Sequence, residues 1–133
     1  MAVEVELQRA LYARLSGAAI GATVFDVAPQ AADPGDTSAF PYVTIGRIIV
    51  TERDTQTALG FSALMRVHTF SRAGALLECK TVQGAIYAAL HRVEMTITGF
   101  ANFSLLREDS DCWPDQDGRI HGVCEYRALI ESA

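Results

Sequence analysis

Apolar positions fall four apart through the first fifteen or so residues: Leu7, Leu11 and Leu15, with Ala10 beside them and Gln8, Arg9 and Arg14 elsewhere around the turn. That spacing puts the leucines on one face of a helix, so the segment reads as amphipathic. Gly17 and Gly21 supply a stop, and the β-branched and aromatic run from Thr23 to Val27 reads as a short strand.

From Ala28 to Ala39 the chain runs APQAADPGDTSA, whose prolines, glycine and aspartates predict a loop. Tyr42 to Thr51 reads as a long strand that starts at Pro41, a residue unable to donate an interior ladder bond. Phe61, Ala63, Met65, Val67 and Thr69 then alternate with Ser62, Leu64, Arg66, His68 and Phe70, the period-two pattern of a strand with one face well buried and His68 on the more polar face. Joined through Arg53 to Gly60, the two strands predict an antiparallel hairpin with a long tip.

After Gly74 the period changes. Leu76, Cys79, Val82, Ile86, Ala89, Leu90 and Val93 form one helical stripe, with Glu78, Lys80 and Gln83 away from it. Met95, Ile97 and Phe100 predict a short strand, Phe103 and Leu105 another, and Val123 to Ile130 the last, with EDSDCWPDQDGR from Glu108 to Arg119 as a loop. The order gives an α+β fold: a mostly antiparallel sheet, two main helices packed on one face and a long hairpin in the middle. No linker divides the chain, so residues 1–133 are expected to form a single domain.

Half of the residues are hydrophobic and 20% are charged, with no apolar run long enough to span a membrane. Glu4 and Glu6 stand where a secretory signal would carry basic residues, which argues against export. Eleven basic residues face sixteen acidic ones, a net charge of −5, and Lys80 is the lone lysine. Tight binding to a phosphate backbone needs clustered cations, so that class is disfavoured. Cys79, Cys112 and Cys124 are odd in number and lack metal-ligand spacing; they suit a reducing cytoplasm as small structural hydrophobes.

Candidate chemistry is sparse. The acidic stretch holds Glu108, Asp109, Asp111, Asp115 and Asp117, but aligning Gly118 with the turn glycine of an EF-hand loop puts Trp113 and Cys124 at the two anchor positions. A solvated turn is the plainer reading. Trp113 inside it needs cover, either from its own domain or from a neighbouring subunit. His68, His91 and His121 stand in no recognisable nucleophile or metalloprotease motif, and no glycine-rich phosphate cradle occurs. No catalytic residue, cofactor or metal is expected.

Several blocks, taken in order, resemble the tail-completion or tail-terminator family of long-tailed phages, with relatives in prophages and gene transfer agents. They are LQRALYARL at Leu7 to Leu15, VFDVAPQ at Val24 to Gln30, FPYVTIG at Phe40 to Gly46, VHTFSRAG at Val67 to Gly74, AALHR at Ala88 to Arg92 and DGRIHGVCEYRALIE at Asp117 to Glu131. The resemblance implies a virion structural protein, not an enzyme. Its subunit would assemble in the bacterial cytoplasm into a hexameric ring on the head-proximal end of the tail, stop tube polymerisation and dock the head connector. Expected partners are copies of itself, the tail-tube protein and the connector or stopper, with DNA only passing through the lumen. A ring needs two different surfaces that meet head to tail. The expected contact residues are Thr51, Glu52, Arg53, Asp54, Thr55 and Gln56 in the first loop and Asp109, Asp111, Trp113, Asp115 and Asp117 in the second, whose carboxylates would line the DNA passage. A head-tail adaptor or stopper of the same particle is the nearest alternative. A small cytoplasmic enzyme or ligand-binding domain is the alternative of another class.

Overall fold

The computed structural model describes residues 2–26, 40–57, 59–72, 74–115 and 118–132. The proline-rich stretch from Ala28 to Ala39 lies outside them. The elements are α1 (Val3–Gly17), β1 (Thr23–Phe25), β2 (Tyr42–Glu52), β3 (Gly60–Ser71), α2 (Leu76–Leu90), β4 (Phe100–Pro114) and β5 (Ile120–Ser132). The strands form one sheet in the order β1, β2, β3, β5, β4; β1 runs parallel to β2 and every other pairing is antiparallel. The α+β expectation and the central hairpin are both met.

The leucine stripe of α1 is buried as its spacing requires, with Val3 added at the start. Glu4 and Glu6 lie in the first turn and Arg14 in the last, the polarity that the helix dipole favours. Arg14 also donates through Nε to Ala89 O at 2.8 Å, which fastens α1 to the last turn of α2. Both helices share one core with a single sheet face, formed by residues such as Val43 and Ile45 of β2, Met65 and Val67 of β3, Leu105 of β4, and Tyr126 and Ile130 of β5.

Three expectations are corrected. Gln83 is buried within the stripe of α2 and Leu76 is exposed. Gln83 is tolerated inside because its Nε2 donates to Asp111 O at 2.9 Å and because Gly122 of β5 offers no side chain in its way. Met95 and Ile97 belong to no strand: Ile97 is buried and Met95 partly so, in an extended segment that lies on the core without a ladder until β4 begins at Phe100. Most of the acidic loop is strand, since β4 continues through Glu108 to Pro114 and pairs with β5 as far as Pro114 opposite Ile120. A bulge between Arg107 and Asp109 lets it do so, because the extra residue shifts the alternation by one position. The sequence therefore loses its period-two signal where the strand goes on.

Candidate functional site

Among the described residues the sheet has helices on one face only, and the other face is the candidate site. Side chains alternate between faces along each strand, so the register fixes which residues share it. Tyr42, Phe70, His121 and Trp113 are consecutive cross-strand partners on β2, β3, β5 and β4. Their rings form a continuous row: Tyr42 stacks on Phe70 at 4.9 Å between centroids, Phe70 on His121 at 4.5 Å, and Trp113 tilts against His121 at 4.7 Å. Phe25 of β1 meets Tyr42 edge-on at 5.9 Å. Contacts of this kind add about 0.5–1.5 kcal/mol each beyond area burial.

His68 lies diagonally behind this row, with Nδ1 2.9 Å from His121 Nε2. Gly46 makes room for it, because a Cβ there would come within 2.5 Å of His68 Nε2. Burial lowers the basicity of both imidazoles; His121 and Arg66 lower His68 further, while Asp115 acts on His121 in the opposite direction. In the neutral pair one ring donates and the other accepts.

Farther along the open face, Arg66 Nε bonds Glu125 Oε1 at 2.9 Å, and Arg127 pairs with Glu108 and reaches Ser62 Oγ at 3.1 Å. Ile49, Leu106 and Leu129 are exposed in the half nearer the hairpin tip, with Leu64 between Ile49 and Arg127 in the register. The face is thus divided into a mainly apolar half, in which Ile49, Leu64, Leu106 and Leu129 flank the Arg127–Glu108 pair, and a half that combines the aromatic row with Asp109, Asp111 and Glu125.

The residues singled out from sequence fall into two groups, one at the hairpin-tip end of the sheet and one running along β4 from its middle to the other end. Thr51 and Glu52 end β2, and Arg53, Asp54, Thr55 and Gln56 form the exposed hairpin tip. The tip is held back on itself by Arg53 N donating to Gly60 O at 2.7 Å and Gly60 N donating to Asp54 Oδ1 at 3.2 Å. A cavity of about 370 Å³ lies between Arg53 and Thr55 of the tip and Phe103 and Leu129 of the sheet. Asp109, Asp111 and Trp113 sit on β4 near the other end, and Asp115 begins the turn into β5. Asp117 lies outside the described residues. In the register Glu52 is opposite Phe61 of β3, whereas Asp109, Asp111 and Trp113 align through β5 with Arg66, His68 and Phe70, so the second group begins five residues and ends nine residues along β3 from Glu52, about 17–30 Å of extended chain. Trp113 is partly covered by its own chain and still 36% exposed.

Among the described residues no group of three or more His, Cys, Asp or Glu side chains is arranged to hold a metal ion. Nor is any helix among them long and apolar enough to cross a membrane. His91, just past the end of α2, accepts from Arg107 N at 3.0 Å through Nδ1 and stacks on Tyr87 at 4.4 Å. Residue-by-residue reading missed the aromatic row and the meeting of Cys79 with Cys112, since both depend on strand register.

Residues 8–131 match the model of a family described as tail completion protein gp17. The chain belongs to this family. Among solved structures it is similar to a chain from the virion of a native gene transfer agent particle, with a TM-score of 0.84 at 21% identity and 98% of each chain covered. No curated protein matches the sequence. Membership of the tail completion family makes the protein a structural component of a phage-type virion, at the tail.

Proposed function

We propose that the protein is a tail terminator, a single-domain subunit whose copies close into a hexameric ring on the head-proximal end of the tail tube, stop its polymerisation and join it to the head connector. The observation that carries this reading is the uncovered sheet face of a tail completion protein, with Ile49, Leu106, Trp113 and Leu129 exposed on it. Exposed apolar surface in a structural subunit favours burial against another subunit. The apolar half of the face is suited to the neighbouring copy. The hairpin tip from Thr51 to Gln56 and the end carrying Trp113 and Asp115 are suited to the tube and the connector, which lie on opposite sides of the ring. Asp109 and Asp111 would face the DNA passage, where carboxylates repel phosphates and limit adhesion. The protein would act through these contacts alone, without a catalytic step.

Sedimentation of the purified chain at high concentration and microscopy of purified tails are expected to show closed rings or ring-shaped caps. The double variant Leu106→Glu, Leu129→Glu should stay folded as judged by its thermal transition and yet fail to form them. A deletion strain should give overlong or unattached tails. Normal tails with leaking heads would instead assign the protein to the adaptor or stopper position, and a basic lumen in the assembled ring would overturn the role given to Asp109 and Asp111.

A further inference from the structure

Cys79 of α2 and Cys112 of β4 are far apart in sequence, yet their sulfurs lie 3.2 Å from each other. Cys112 Sγ is also 2.9 Å from Gln83 Oε1, so one side chain of α2 holds the thiol in place while another faces it. A disulfide needs the sulfurs about 2.05 Å apart. The remaining gap is small enough for side-chain rotation and a slight shift of the helix. The glycine of β5 makes the meeting possible: Gly122 is the cross-strand partner of Cys112, and a Cβ on it would fall 2.6 Å from Cys79 Sγ and 2.5 Å from Gln83 Nε2.

The two thiols differ in access. Cys79 is fully buried. Cys112 is half-buried and lines a surface cavity of about 410 Å³ together with Gln83, the cations Lys80 and Arg107, and the single carboxylate of Asp111. The third cysteine, Cys124, is buried, does not line that cavity and is opposite Ser110 in the ladder. Reactive cysteines characteristically occupy partly exposed sites beside cationic side chains, whereas fully buried ones are inert to external reagents.

We propose that Cys112 and Cys79 form a redox site, in which Cys112 reacts with a small-molecule disulfide of the glutathione type and Cys79 resolves the adduct, closing a bond between α2 and β4. In the first step Cys112 loses its proton to solvent, and its sulfur attacks one sulfur of the small disulfide and expels a thiolate. In the second, Cys79 loses its proton and attacks Cys112 Sγ, expelling the second thiolate. Two protein thiols are oxidised, the two electrons reduce the small disulfide to two thiols, and these take up the two protons. Lys80 and Arg107 attract the carboxylates of the glutathione moiety at the cavity mouth. Burial, reinforced by Cys112, pushes the Cys79 thiol above the ordinary range, in keeping with Cys112 as the group that reacts first. The chemistry is independent of the ring. Its timing rests on the virion location, since a released particle exchanges a reducing cytoplasm for oxidising surroundings.

The test treats the purified full-length chain and purified particles with oxidised glutathione, alkylates the remaining thiols after denaturation, and reads intact mass and linked peptides. The wild-type chain is expected to lose the mass of two hydrogens, keep a single alkylatable thiol at Cys124, and yield a peptide joining Cys79 to Cys112. Its Tm should rise by about 10 °C and fall back on reduction. C79S should retain a glutathione adduct on Cys112, C112S should form neither adduct nor bridge, and C124S should behave as the wild type. Three alkylatable thiols after treatment of the wild-type chain, or a bond or adduct involving Cys124, would overturn the proposal. The wild-type thiol count decides the matter even if a variant fails to fold.

Discussion

His121 holds three rings at once, those of Trp113, Phe70 and His68, and its own ionisation would disturb all of these contacts. Burial is the first cause holding both histidines below the ordinary 6.5, with His121 and Arg66 adding to it at His68 and Asp115 opposing it at His121. In the unfolded chain the same histidines take up protons near pH 6.5, so the unfolded state binds more protons as the solution becomes acidic. Their contribution to stability is therefore fully present above about pH 6.5 and is lost as the pH falls through the lowered folded values. Tm should decline between about pH 7.5 and pH 5, and the double variant His68→Gln, His121→Phe, which keeps a ring beside Trp113, should flatten that slope. An unchanged slope would show that the pair is not the origin. None of this was legible residue by residue: His121 reads as the opening of a strand, and nothing in its sequence neighbourhood points to residues 70 or 113.

The elements divide by how cleanly their periodicity survives. α1, β3 and α2 were legible because each keeps one period through most of its length against a single core, and β2 was legible despite its register shift between Ile45 and Ile48 because apolar residues lie on both sides of it. β4 was not. Before its bulge Phe103 and Leu105 turn inward, and after it Ser110 and Cys112 do, so neither alternation nor hydrophobicity runs through the strand. Its carboxylates also mimic a loop, although on an edge strand they are in keeping with protection against unwanted pairing. The stripe of α2 makes a quantitative test. Ile86 is fully buried and Leu77 is 79% exposed. In urea denaturation Ile86→Ala should cost about 2–5 kcal/mol, and Leu77→Ala should stay within about 0.5 kcal/mol. Equal effects would mean that the helix packs on a different face.

On the scale of the whole molecule, the fold class followed from the order of elements, whereas the strand order did not, because the pairing of β3 with β5 depends on contacts distant in sequence. The same limit applies to the candidate surfaces. Both groups of expected contact residues were named from sequence, but only the register shows that the second lies on β4, in one sheet with the hairpin tip and beside an open face. Among the described residues β4 has β5 as its only sheet partner, and β5 also provides the second neighbour of β3. During synthesis, then, a nascent chain that has left the ribosome as far as Pro114 carries an edge with nothing to pair with and a core lacking Tyr126 and Ile130. Productive folding should wait for β5 to emerge. Arrested chains ending before Ile120 should be cleaved readily by protease, and chains extended by a linker past Ser132 should resist it. Subunits would thus reach the tail only as finished units, and under the proposed ring assembly half-made copies would be kept from blocking its closure.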